Sequence, residues 1–196
     1  DVITDMTLTG INVDRDKVDE VIVGVTEMEK NASDLIPLEY PGSTQQLSRW
    51  FLELGAPLEE TTTTGQLCTD EAALEGVRDW NPELIDNILM FRRYRKLRGY
   101  AKSYKSLCSE DGRLRPYWSQ AGGAEETSSK STNAPATGRI SSSGPNMQQV
   151  PNKGVEEMKR WNTRLRECII PSQGCVLMSA DIAQEEPRIT SFVVPE

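Results

Sequence analysis

The chain has 196 residues, 37% of them hydrophobic, enough for one domain or two small ones. It contains no histidine, and its four cysteines (Cys68, Cys108, Cys168 and Cys175) form no CxxC pair, which excludes a Cys/His zinc site and a histidine general base. The net charge of −8 argues against nucleic acid if taken whole, but residues 1–81 carry −12 and residues 91–166 carry +10.

A basic middle in an acidic chain is the footprint of a polyanion-binding surface, set against the plainer reading of a solvated helix face. No apolar run reaches the roughly 18 residues of a membrane span. The N-terminus, DVITDMTLTG, shows no basic-then-apolar secretory signal. The cysteines read as reduced, partly buried small hydrophobes of the kind expected inside a cell.

In chain order, GINVD predicts a turn and short strand leading into a helix over residues 15–33. Val18, Ile22, Val25 and Met28 recur there at helical spacing. Pro37 and Pro41-Gly42 break the chain. Ser43 predicts the N-cap of a helix through Leu54, stopped by Gly55. Thr61–Thr64 with Gly65 predicts a loop, and Thr69 a cap for a short helix over 70–77. The longest helix is expected from Pro82, near its first position, to Tyr104. Its second half, RRYRKLRGYAKSYK, is too basic for all its cations to share one face.

Residues 122–135 are mostly Gly, Ser, Thr, Ala and Glu and predict a mobile loop between strands over 113–120 and 136–141. A helix over 155–164, a strand over 167–170, a turn at 172–174 and a buried strand over 176–181 follow. A last helix starts near Gln184. Helices first, then strands with helices, imply an α+β fold. Asp181 closes the apolar run CVLMSAD. A carboxylate held at a strand end is a common metal ligand, although alone it equally reads as a turn or cap residue.

The stretch Asp181-Ile182-Ala183-Gln184-Glu185-Glu186-Pro187-Arg188 resembles motif A of family A (DNA polymerase I-like) DNA polymerases, DYSQIELR or DYSQxEPR. TGRISSSGPNMQQVP at 137–151 resembles that family's TGRLSSxxPNLQNIP segment. GSTQQLSRWFLELGAP, TTTTGQLCTDEAALEGV and NPELIDNILMFRRYRKLRGYAKSY resemble successive segments of its thumb. The likeness covers almost all of the chain outside 122–135. The EPR ending is more like phage polymerases than bacterial ones.

The resemblance implies a mainly helical thumb followed by the first strands of an antiparallel palm sheet, an incomplete polymerase domain. Residues 1–36 would be the strand and helix leading in, 37–107 the thumb with its basic helix, and 108–196 a partial palm with motif A at 181–188. It implies template-directed DNA synthesis with two Mg²⁺ ions, held in part by Asp181 and the Ile182 carbonyl. Glu186 would be the steric gate against the 2′-OH of ribonucleotides; without the motif it reads as an ordinary surface helix residue. Arg188 would order the site through ion pairs, and Gln184 would bond nearby backbone or the primer end.

Arg139, Asn146, Gln148 and Gln149 would probe base-pair geometry from the minor groove, where every Watson–Crick pair offers similarly placed acceptors. Lys153 stands where the family has an Arg near the primer phosphates. Arg92, Arg95, Lys96, Lys102 and Lys105 would hold duplex phosphates without reading sequence. Partners would be primer–template DNA, a dNTP and the remaining polypeptide, with no membrane, in the cytoplasm of a bacterial cell or encoded by a phage. The family's dNTP-binding helix and second metal-binding Asp fall beyond Glu196, so the chain alone is expected to be inactive. A noncatalytic duplex-binding module derived from a thumb is the competing expectation; a helical scaffold unrelated to nucleic acid leaves both motifs unexplained.

Departures from the family pattern are Ile182 and Ala183 for the usual Tyr and Ser, Glu185 and Pro187 for apolar residues, and Asn81 and Arg115 at two His positions.

Overall fold

The computed structural model describes residues 1–119, 139–151 and 155–193. Its centre is a pair of long helices, α2 (Arg15–Asp34) and α5 (Pro82–Leu107), packed along each other. Asp14 caps α2, its carboxylate accepting from the Lys17 N–H. Asn81 caps α5 by accepting from the Leu84 N–H, and Pro82 takes a first-turn place where no N–H partner is needed. Leu107 ends α5 three residues past the expected limit.

Helix α2 buries Val18, Val21, Val25, Glu29 and Ala32, while Ile22 and Met28 are only half-buried. Val21 and Glu29 thus take the inward places expected of Ile22 and Met28, and Glu29 has a partner in Arg98 of α5 that no local pattern reveals. Helix α5 contributes Ile85, Ile88, Leu89, Phe91, Tyr94, Leu97, Ala101 and Tyr104. Helix α6 (Glu156–Glu167) lays Met158, Asn162 and Leu165 against both. A Cβ on Gly24 would stand 1.9 Å from the Trp161 ring, so α2 and α6 meet at a contact that only glycine allows. One core therefore draws on residues from all three stretches distinguished in the sequence.

Helix α3 (Thr44–Glu53) is capped by Ser43 as expected and buries Leu47, Ser48 and Phe51. Phe51 meets Trp80 edge-on at 6.2 Å. Trp80 ends a short 3₁₀ turn (Arg78–Trp80) that follows α4 (Glu71–Gly76). The cap of α4 is Asp70, not Thr69: the Asp70 carboxylate accepts from the Ala73 N–H at 2.8 Å. Helix α1 (Val2–Thr9), unanticipated from its β-branched residues, buries nothing.

The strands are shorter than expected. β1 (Ile11–Asn12) pairs antiparallel with β2 (Arg113–Leu114), Ile11 opposite Leu114. β3 (Tyr117–Ser119) pairs with β4 (Ser141–Ser143), Tyr117 opposite Ser143. The single strand expected from residue 113 is divided at Arg115-Pro116, since proline has no N–H for a ladder. The strand expected over 136–141 begins only at Ser141, and residues 136–138, like the 122–135 loop, lie outside the described residues. Glu167 belongs to α6, and of the strand expected over 167–170 only a bridge between Ile169 and Val13 remains. The Asp14 N–H to Cys168 carbonyl bond (2.8 Å) and the Ile170 N–H to Asn12 carbonyl bond (3.1 Å) extend that link.

Residues 176–181 form no strand and are not buried. Val176 is 87% and Met178 88% exposed. A strand exists only through its neighbours, and none of the described residues pairs with this segment. No helix among the described residues is long and apolar enough to cross a membrane.

Candidate active site and nucleic-acid interface

Three groups of sequence-assigned residues occupy separate places. The first is the approach to α7 (Glu185–Val193). Asp181, Ile182 and Gln184 are exposed in the turn that leads into it. Gln184 takes a left-handed φ of 54°, which swings the chain into the helix, and its carbonyl accepts from the Arg188 N–H at 3.1 Å. Gln184 and Arg188 are thus tied through backbone, while the Arg188 side chain is exposed. Glu186 is the second residue of α7. Among the described residues no three Asp, Glu, Cys or His side chains gather as a metal cage. Asp181 and the Ile182 carbonyl are hard oxygens of the kind Mg²⁺ accepts, but two oxygens fit only part of a six-oxygen shell.

The second group surrounds β4. Arg139 is exposed just ahead of it. The Gln148 side chain is exposed but bonds back to its own loop: its Oε1 accepts from the Ser142 N–H at 3.1 Å and its Nε2 donates to the Ile140 carbonyl at 2.5 Å. The buried Ser142 Oγ in turn accepts from the Met147 N–H. Asn146 Oδ1 accepts from the N–H groups of Gln148 and Gln149 at 3.0 and 3.2 Å, a side-chain-closed turn. Gln148 and Asn146 therefore shape the loop, and Gln149 presents an exposed amide. Lys153 lies outside the described residues. Ser142 is the organising residue that sequence reading overlooked; the only signal was its place in the middle of the Ser141–Ser143 run.

The third group is the basic half of α5, which the structure sorts. Arg92 turns inward and donates to the Thr69 carbonyl and, at 3.2 Å, to its hydroxyl. Burial lowers the Arg92 pKa from its ordinary value, with Asp70 opposing. Arg93 pairs with Glu71 and Glu75, Arg98 with Glu29, and Lys105 with Asp19 at 2.7 Å. Arg95, Lys96 and Lys102 are exposed and pair with no carboxylate among the described residues. The Arg95 guanidinium rests over Gly42, where a Cβ would come within 1.3 Å of it.

A helical unit with a cationic ridge is thus joined to short antiparallel strands and to a carboxylate at a helix approach. The chain belongs to DNA polymerase family A, whose profile matches residues 16–194. It is 31% identical over 176 residues to DNA polymerase I of Pseudomonas aeruginosa, covering 86% of this chain and 17% of that protein. It is 33% identical over 155 residues to the thermostable DNA polymerase I of Thermus thermophilus, covering 77% and 16%. The fold is similar to the POL domain of Pol1 from M. smegmatis, solved in complex with DNA primer-template and dNTP. The TM-score is 0.71 at 23% identity, over 88% of this chain and 28% of that one. The chain thus spans less than a fifth of the length of these two curated relatives.

Proposed function

We propose that this chain is the thumb and first palm segment of a template-directed DNA polymerase, gripping primer–template duplex and supplying one metal-binding carboxylate to nucleotidyl transfer. The observation that carries the reading is Asp181, exposed at the approach to α7 within a stretch in register with motif A. Bound at such a site, two Mg²⁺ ions would lower the pKa of the primer 3′-OH and neutralise the triphosphate. The chain's own part is to hold oxygens from Asp181 and Ile182 in place. The Gln184 turn fixes Asp181 relative to α7, and Glu186, one step inside that helix, stands where the family excludes a 2′-OH.

Arg139 and Gln149 are the exposed donors near β4 suited to minor-groove acceptors. Gln148 and Asn146 take positioning roles instead, holding that loop in shape. Lys153 remains assigned to the primer phosphates by resemblance. On α5 the phosphate contacts fall to Arg95, Lys96 and Lys102, with Arg92 and Lys105 held by in-chain partners.

The remaining metal donors and the dNTP-binding groups would come from the rest of the polymerase polypeptide. The exposed run Val176, Leu177 and Met178 supports this, because an apolar segment so open to water asks for a cover. On this reading the 196 residues alone do not extend a primer. Bacterial relatives support the cytoplasm of a bacterial cell as the place of action, and the Glu-Pro-Arg ending supports a phage-encoded member.

Primer extension with Mg²⁺ and dNTPs by the complete polymerase carrying this segment tests the reading. Asp181→Ala is expected to abolish extension while leaving duplex binding intact. Undiminished extension by that variant would overturn it.

A further inference from the structure

Gly99 lies well inside α5, in a helix of 26 residues, and nothing among the described residues calls for glycine there. A Cβ at this position meets no atom of the described residues within 4 Å, and its φ is outside the left-handed region. Gly24 is the contrast, since the Trp161 ring fills the space its side chain would take. Glycine is among the poorest helix formers, so Gly99 weakens α5 without improving any internal contact.

At about 100° per residue, Gly99 falls on the helix face opposite Tyr94, Leu97, Ala101 and Tyr104, all buried. That outer face also carries Arg95, Lys96, Lys102 and Ser103. Its three exposed cations pair with no carboxylate among the described residues, whereas their neighbours Arg93, Arg98 and Lys105 are all paired. Gly99 is therefore a notch in the middle of the one unneutralised cationic stretch of α5 among the described residues.

We infer that Gly99 is the point of closest approach between α5 and a nucleic-acid strand, its missing side chain letting the sugar–phosphate backbone lie against the helix. Arg95 and Lys96 reach phosphates on one side of the notch and Lys102 on the other. The inference rests on the duplex-binding reading of this face. Charge decides the occupant: three free cations without an acidic or large apolar side chain among them suit a polyanion and offer an apolar partner nothing.

The test is fluorescence anisotropy of a short labelled duplex with the wild-type chain, Gly99→Leu, Gly99→Ala and the triple variant Arg95→Ala/Lys96→Ala/Lys102→Ala. Leucine and alanine favour helix and enter open space, so both glycine variants should fold and melt at or above the wild-type temperature. Gly99→Leu is expected to weaken duplex binding at least about tenfold despite unchanged charge, with Gly99→Ala intermediate. If the triple variant loses binding and Gly99→Leu does not, the notch is wrong and the cationic face stands. If the triple variant binds like wild type, the duplex reading of this face falls, and the notch with it.

Discussion

Arg98 on α5 reaches Glu29 on α2, donating from Nη2 to Oε1 at 2.9 Å in a part-buried pair. Glu29 is only 8% exposed, so its carboxylate depends on that guanidinium. The pair joins the two central helices and withdraws Arg98 from the cations available to a ligand.

Removing one partner should therefore cost more than removing both. Glu29→Ala leaves a part-buried guanidinium without its carboxylate and is expected to destabilise the chain by about 2–4 kcal/mol. Glu29→Leu combined with Arg98→Leu should cost less, because no lone charge remains. Urea melts of the three variants measure this; equal losses in the single and double variants would remove the pair from the account of the α2–α5 contact.

Gly24 and Trp161 define a second contact that does not tolerate change. A methyl at position 24 would overlap the indole, and Trp161 is also held by Arg164, whose guanidinium sits 5.1 Å from the ring centroid. Gly24→Ala, which elsewhere in a helix would stabilise, should here cost about 1–3 kcal/mol. Thermal melts decide the sign, and a raised melting temperature would mean that Trp161 moves aside freely.

Tyr94 and Tyr104 should titrate last among the five tyrosines. Burial pushes each up to about 12, aided by Glu157 at Tyr94 and by Cys168 at Tyr104. The unfolded chain ionises them near 10. A pKa raised on folding gives stability that is full below pH 10 and lost as the pH climbs through 12. Phenolate absorbance should show two late groups rising with unfolding, and Tyr104→Phe should lessen the alkaline loss of stability.

The cap and spacing signals that were legible are local ones. Ser43, Pro82 and the turn before Arg15 fix helix ends through atoms a few residues away, so α2, α3 and α5 could be read from sequence. What was misread depends on distant partners. Glu29 is buried beside Arg98, 69 residues on. The run 176–181 looks like a strand by composition, but pairing decides strands, and no described residue pairs with it. The site was legible only as a resemblance in motif A, since Asp181 by itself is one exposed carboxylate in a turn.

The sorting of α5 makes a prediction about salt. Each phosphate that a cation neutralises releases counterions, and contributes roughly 0.9 to the slope of log K against log salt. Replacing Arg95, Lys96 and Lys102 by alanine should reduce the slope for duplex DNA by about 2–3. Arg92→Ala should leave the slope alone and lower stability instead, since it strips a donor from the Thr69 carbonyl. The reverse pattern would return Arg92 to the binding face and take the other three off it.

The proposed sugar gate separates Glu186 from Asp181 in the complete polymerase. Glu186 is the fifth residue after Asp181 and the second of α7, in register with the family's gate. Glu186→Ala should open space beside the sugar C2′ and raise ribonucleotide use relative to deoxyribonucleotide. The carboxylate is also a hydrogen-bond acceptor, so some efficiency with dNTPs should go with it. Asp181→Ala should abolish both reactions alike, because a metal ligand serves every nucleotide. The measurement is kcat/KM for a dNTP and its matching rNTP in each variant. A ratio unchanged in an active Glu186→Ala enzyme would place the gate elsewhere and shift the register assigned to 181–188. A changed ratio in Asp181→Ala would mean that Asp181 touches the sugar rather than a metal.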